Sequence, residues 1–172
     1  MPKAIFLDRD GVLNVERGAY TFKTEDFDVC AGVPEALTLL KQQGYYLIVI
    51  TNQGGIAKGL YTKEHVLACH EKLQQACGGI LDALYMAPAH ESVSASIARK
   101  PDSLMLEKAM AKFNVDPAQC WMVGDQLRDM QAAEKVGVKG VLVGDYPAGT
   151  HPFQAENLLE AATRFILPEG QK

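Results

Sequence analysis

Short apolar or β-branched runs alternate with longer stretches of helical periodicity along this chain. The strand-length runs fall at residues 4–7, 46–50, 80–86, 120–123 and 139–143. Between them, Ala36/Leu39/Leu40, Val66/Cys69/Leu73/Ala76 and Leu106/Ala109/Met110/Phe113 each line one face of a helix. Gly32 with Pro34 reads as a helix start, Thr62 followed by Glu64 as an N-cap with a first-turn acid, and Gly44 as a stop. A last helix is expected near residues 155–165, ahead of a frayed polar tail, PEGQK. This alternation predicts a doubly wound, Rossmann-like α/β fold: a parallel sheet of at least five strands with crossover helices on both faces. No linker or compositional shift divides the chain, so residues 1–172 are expected to form a single domain. Two connections, 11–31 and 87–99, are not helical, and loops of this kind after a strand commonly line the functional edge of such a sheet.

Composition narrows the function classes. With 17 basic and 21 acidic residues the formal net charge is −4. That gives no general attraction to a polyanion, so neither nucleic acid nor an anionic membrane is an expected partner. No apolar run approaches the roughly 20 residues of a membrane span, and the N-terminus lacks the apolar region of a signal peptide. The four cysteines show no C-x-x-C spacing and are expected to be reduced, mostly buried thiols of a cytoplasmic protein. A monomer is expected.

The polar residues that directly follow the strands carry the chemistry: Asp8 and Asp10 after the first, Thr51, Asn52 and Gln53 after the second, Asp125 after the fourth. Parallel strands end on one side, so these groups converge at one edge. Three acids in one crevice repel one another, and a hard cation such as Mg²⁺, which takes carboxylates together with phosphate oxygens, relieves that repulsion. Taken singly, each acid is an ordinary turn or cap residue; three strands ending this way indicate a site. Arg99-Lys100-Pro101 brings two cations to the end of the second long loop, suited to a phosphate. Gly54, Gly55 and Gly59 permit close backbone approach to an anion, but GGIAKG lacks the order of a P-loop, which excludes an NTPase reading. His65, His70 and His151 have no partner at ligand spacing, so each is expected to be solvent-exposed or hydrogen-bonded. Trp121 belongs to the core.

Four segments in order, FLDRDG at 6–11, ITNQ at 50–53, RKP at 99–101 and VGDQLRD at 123–129, resemble the motifs of the haloacid dehalogenase (HAD) superfamily of phosphotransferases. LDRDGVLN, TNQGGIAKG and GDQLRDMQAA are similar to its heptose-bisphosphate phosphatase branch, with the histidinol-phosphate phosphatases near relatives. The resemblance implies that Asp8 is a nucleophile forming an aspartyl phosphate and Asp10 the acid that protonates the leaving oxygen, then the base on water. It implies Mg²⁺ held by Asp8, the Asp10 carbonyl and Asp125, with Thr51 and Lys100 on the phosphoryl oxygens and Asp129 fixing Lys100 or a metal-bound water. Asn52, Gln53 and Arg99 are implied to bind the rest of a small phosphorylated substrate. Arg17, Lys23 and Lys58 are further cations that a second phosphate or hydroxyls could use.

The chain also departs from that pattern. The resembled branch carries a zinc loop, whose ligand positions here hold Ala87, Ala89, Ser96 and Ala98. His90 alone cannot make a tetrahedral site, so no structural zinc is expected. Asp102-Ser103 stands where a Pro-Gly pair is common in the family. Neither long loop has room for the superfamily's cap domain, so an open site is expected. The resemblance thus implies a Mg²⁺-dependent sugar phosphatase, acting on heptose bisphosphate, on histidinol phosphate or on a broader range of sugar phosphates. A phospho-receiver module, which also gathers acids, Thr and Lys at a sheet edge, is the non-enzymatic alternative.

Overall fold

The computed structural model describes residues 1–170. Six strands form one sheet: β1 Lys3–Leu7, β2 Tyr45–Asn52, β3 Ala83–Ala87, β4 Trp121–Gly124, β5 Lys139–Val143 and β6 Gln154–Ala155, in the order β3-β2-β1-β4-β5-β6. Every pairing is parallel. The helices are α1 Val33–Gln42, α2 Lys63–Ala76, α3 Leu104–Phe113, α4 Leu127–Lys135 and α5 Leu158–Ala161; α5 runs on through a π turn, Ala162–Ile166, into Leu167–Glu169.

Both faces of the sheet are buried, which is why its strands read as nearly continuous apolar runs. Ile5, Leu7, Leu47, Val49, Trp121 and Val123 point to one side and pack under α1, α2 and α5. Phe6, Ile48, Ile50 and Met122 point to the other, against α3 and α4. Strands β1 and β4 are central; Leu7 lies in register with both Val49 and Val123, so three strand ends stop at one level. The Asp8 N–H continues the ladder to the Val123 carbonyl (3.0 Å).

Several boundaries differ from those read in the sequence. β3 begins at Ala83 rather than at residue 80, because the Asp82 carboxylate is spent on the Leu47 N–H and on Lys41. β2 extends through Thr51 and Asn52. Ala155 belongs to β6, and the final helix starts only at Leu158, where the Asn157 side chain accepts from the Glu160 N–H. Within the tail, Pro168 and Glu169 are helical; Gln171 and Lys172 lie outside the described residues. Helix α4 was not expected. At the start of α2, Thr62 is the N-cap and Glu64 the first-turn acid, as expected, and His65 Nδ1 closes the cap by accepting from the Thr62 N–H. His151 accepts from the Phe153 N–H, but His70 departs from expectation: its Nδ1 is buried without a partner among the described residues. All four cysteines are free, and three are buried.

Candidate active site

At the C-terminal edge of the sheet, Lys100 reaches back under the ends of β1, β2 and β4. Its ammonium, with the side chain 2% exposed, lies 2.8 Å from Asp8 Oδ1, 2.7 Å from Asp129 Oδ1 and 2.8 Å from the Ile50 carbonyl. Asp129 sits in the first turn of α4 and is completely buried; its other oxygen accepts from the Gln126 N–H (3.1 Å). Asn52 holds the Lys100 backbone at both ends, its amide donating to the Lys100 carbonyl (3.1 Å) and accepting from the Lys100 N–H (2.9 Å).

Asp10 stands apart from this cluster and accepts four hydrogen bonds. Arg9 supplies two, through Nε (3.2 Å) and Nη2 (2.9 Å), Asn14 one (3.0 Å) and Gln53 one (3.3 Å). Arg9 is itself buried, stacks over Phe27 and donates to the Thr21 carbonyl (2.7 Å), so it braces the 11–31 loop against the site. Glycine is required between the two halves of the site. A Cβ on Gly11, whose φ is +84°, would fall 2.2 Å from Asp125 Oδ2, and one on Gly124 would fall 2.3 Å from the Asp129 side chain. A cavity of about 390 Å³ opens above these groups, lined by Asp8, Asp10, Asp125, Tyr20, Gln126 and Arg128 among others.

The HAD-hydrolase-like family model matches residues 97–161. A D-glycero-beta-D-manno-heptose-1,7-bisphosphate 7-phosphatase of Haemophilus ducreyi is 40% identical over 146 residues, 80% of each chain. The corresponding D-glycero-D-manno-heptose-1,7-bisphosphate 7-phosphatase of Thermosynechococcus vestitus is 35% identical and covers 96% of each. The chain belongs to the heptose-bisphosphate phosphatase family of HAD-like hydrolases. The crystal structure of D,D-heptose 1,7-bisphosphate phosphatase from B. bronchiseptica, complexed with magnesium and phosphate, matches the fold with a TM-score of 0.86. It is 31% identical, over 98% of this chain and 99% of that one. Membership of a phosphatase family sets aside the phospho-receiver alternative.

The donor set fits the magnesium that such phosphatases use. Oxygens of Asp8, Asp125 and Asp129 lie within 4.8 Å of one another. Three carboxylates against one ammonium leave a formal excess of two negative charges. Burial first, then the Asp129 and Asp125 carboxylates, push Asp8 well above the usual carboxylate range, although Lys100 pulls it down. Burial and Asp129 likewise raise Asp125. Lys100 is held protonated: burial opposes its charge, and Asp8 with Asp129 outweigh burial. The Asp10 carbonyl accepts no hydrogen bond among the described residues, and the Tyr146 hydroxyl fixes the Asp125 backbone by donating to its carbonyl (2.5 Å).

Of the residues singled out in the sequence, Asp8, Asp10, Thr51, Asn52, Gln53, Lys100, Asp125 and Asp129 gather at this edge. Arg99 lies beside it, its Nε on Glu91 (2.8 Å) and Nη1 on the Ala89 carbonyl (3.3 Å), in an adjoining cleft also lined by Lys100, Ser96 and Arg128. Gly54 makes room for Arg99 and His90, and Gly55 for the Tyr61 ring. Arg17 pairs with Asp26, while Lys23 and Lys58 lie over Phe22 and Tyr20. Sequence reasoning missed Arg9, Asn14, Tyr61, Arg128 and Tyr146. Arg9 lies inside the D-x-D motif and was within reach; Arg128 is a cation in the first turn of a helix, where the dipole disfavours it. Nothing in the sequence marks Tyr61 or Tyr146.

Proposed function

We propose that this protein is a Mg²⁺-dependent phosphatase that removes the 7-phosphate of D-glycero-D-manno-heptose 1,7-bisphosphate. The observation that carries the reading is Asp8 at the end of β1, ion-paired to buried Lys100 within a three-carboxylate cluster, in a chain of this family. Asp8 attacks phosphorus, forming an Asp8–phosphoryl bond as the bond to the sugar oxygen breaks; protonated Asp10 gives its proton to that oxygen. Asp10, now a carboxylate, takes a proton from water, which attacks phosphorus, releases phosphate and restores Asp8. The four donors around Asp10 fix the orientation of its carboxyl group. Thr51 and Lys100 would hold the phosphoryl oxygens, Lys100 exchanging one of the three protein acceptors that take its protons for a phosphoryl oxygen. Asp8, Asp125 and the Asp10 carbonyl would hold Mg²⁺, which when bound offsets the charge of the transferring phosphoryl group.

The cavity directs the leaving sugar past Tyr20, Gln126 and Arg128. Arg128 has no acidic partner among the described residues, whereas Arg9, Arg99 and Lys100 all do. Unlike Lys23 and Lys58, which also lack an acidic partner among the described residues, it lines the cavity, so it is the cation assigned to the phosphate that stays on the sugar. Alanine and serine at the four family zinc positions favour a second reading, a broader sugar phosphatase, because that loop borders the entrance.

Phosphate release with Mg²⁺, compared for heptose 1,7-bisphosphate and histidinol phosphate, tests the assignment. A kcat/KM preference of about 100-fold for the heptose, about 2.7 kcal/mol of transition-state discrimination, is expected. Equal, weak rates on both would transfer the assignment to the broader reading.

A further inference from the structure

We propose that Tyr61 is a positioning residue for Asp10, acting through the side-chain amide of Gln53; the inference rests on the phosphatase reading above. An amide side chain has one acceptor and two N–H donors, and all three functions of Gln53 are engaged. The Tyr61 hydroxyl donates to Gln53 Oε1 (2.7 Å), and Gln53 Nε2 donates to Thr51 Oγ1 (2.9 Å) and to Asp10 Oδ2 (3.3 Å). Tyr61, Gln53 and Thr51 are 5%, 2% and 1% exposed, so water does not compete for these bonds.

The direction of the chain matters. Turned over, the amide would set its oxygen against the Asp10 carboxylate and leave the Tyr61 proton facing an N–H₂ group. The phenol remains a donor, since burial holds its pKa at about 12. Tyr61 therefore keeps the N–H₂ end of Gln53 on Asp10. The same bond makes Thr51 Oγ1 an acceptor from the protein, while its own hydroxyl donates to the Asn52 carbonyl (3.4 Å). Gln53, expected from sequence to bind substrate, has both ends of its side chain spent on the protein.

The Tyr61 ring is held from three directions. Gly55 has no Cβ, which would fall 2.1 Å from the ring; Phe22 stacks on it with centroids 5.1 Å apart and planes 10° apart; Tyr20 meets it edge-on at 5.7 Å. Phe22 and Tyr20 belong to the 11–31 loop, and Tyr20 also lines the cavity. The loop that meets the substrate is thereby linked to the proton-transferring carboxylate through two buried side chains.

The Tyr61→Phe variant keeps the ring and its stacking and removes one O–H. Its kcat/KM is to be measured with an alkyl phosphate, the sugar substrate, and with p-nitrophenyl phosphate. This constant covers steps up to phosphoryl transfer to Asp8, where an alkoxide leaving group needs the Asp10 proton and a nitrophenolate does not. A loss of about tenfold with the sugar and less than about twofold with the aryl ester is expected. Equal losses on both, or none on either, overturn the proposal. In a Gln53→Met background, Tyr61→Phe is expected to have no further effect; additive losses would show that Tyr61 does not act through Gln53. A wild type that spares heptose bisphosphate but hydrolyses another alkyl phosphate ends the substrate assignment alone, and that ester then serves in the same comparison.

Discussion

Replacing Asp125 by Asn is expected to stabilise the metal-free protein while removing its response to Mg²⁺. Asp125 faces Asp8 and Asp129, all with oxygens within 4.8 Å, and at that separation two unit charges interact by about 3.5 kcal/mol at an effective dielectric constant of about 20. Burial adds the largest cost to the Asp125 charge and Asp129 repels it, while Lys100 and a hydrogen bond shared with Asp8 offset part of that cost. Asp125 is partly exposed, and solvent screening reduces the figure to about 1–2 kcal/mol. For a chain of this length that corresponds to a Tm increase of about 3–6 °C. Asn keeps the shape and can still accept from Gln126 Nε2, which lies 3.3 Å from Asp125 Oδ2. The sign with pH follows from the raised pKa of Asp125, caused chiefly by burial and Asp129. Its charge costs stability above the folded pKa and costs nothing below the unfolded one. The advantage of Asn should thus be largest above the folded pKa and shrink as pH falls through it toward the unfolded value. Thermal unfolding in chelating buffer from pH 7 to pH 4 measures this. Mg²⁺ at a hundredfold excess over its dissociation constant adds about 2.7 kcal/mol to the wild type and little to the variant, reversing their order. A metal-free variant less stable than wild type at pH 7, yet fully folded, would refute the charge accounting.

Other consequences are as direct. Gly11→Ala should lower kcat/KM by about 100-fold or more, because the new Cβ displaces Asp125 and the backbone is left-handed there; steady-state kinetics beside a Tm control separates the two effects. Arg128→Ala should raise KM for a sugar bisphosphate by about five- to tenfold and leave kcat/KM for p-nitrophenyl phosphate unchanged. Burial lowers the pKa of His70, so the fold favours its neutral form. Stability should fall as pH drops below about 6.5 toward the folded value, with a limiting slope of about 1.4 kcal/mol per pH unit. His70→Gln should flatten that slope in denaturant titrations.

Most of the site was legible because a parallel sheet sends every strand end to one side, so polar residues that follow apolar runs must meet. Asp8, Thr51 and Asp125 needed no more than that. Less legible was what each side chain is spent on. Asn52 and Gln53 sit where substrate-binding residues belong, yet their amides are used on the Lys100 backbone and on Asp10, and no sequence pattern separates the two uses. Helix α4 escaped notice because its buried face is Met130, Ala132 and Ala133, two of them too small to make an apolar stripe. β6 is two residues long and has no periodicity to read. Tyr61 stands as one aromatic residue in a polar stretch of the sequence, and its importance depends on a partner eight positions away across a turn.

The loop after β3 offers the sharpest contrast with the family resemblance. A structural zinc holds such a loop by binding energy on the order of 10 kcal/mol. In this chain the loop makes local contacts: the His90 and Ser92 side chains are 2.7 Å apart, the Ala98 N–H donates to Ser96 Oγ (3.2 Å), and Arg99 pairs with Glu91, whose side chain is 71% exposed. Exposed ion pairs are weak and are screened by salt. Chelators should therefore leave the proteolytic susceptibility of residues 88–99 unchanged, whereas 0.5 M NaCl or Glu91→Gln should increase it. Because Arg99 borders the site, the same changes should raise KM for the sugar phosphate by a few fold with little change in kcat. Metal analysis of the purified protein showing one zinc per chain, with cleavage in this loop accelerated by a chelator, would show that the loop is metal-held after all.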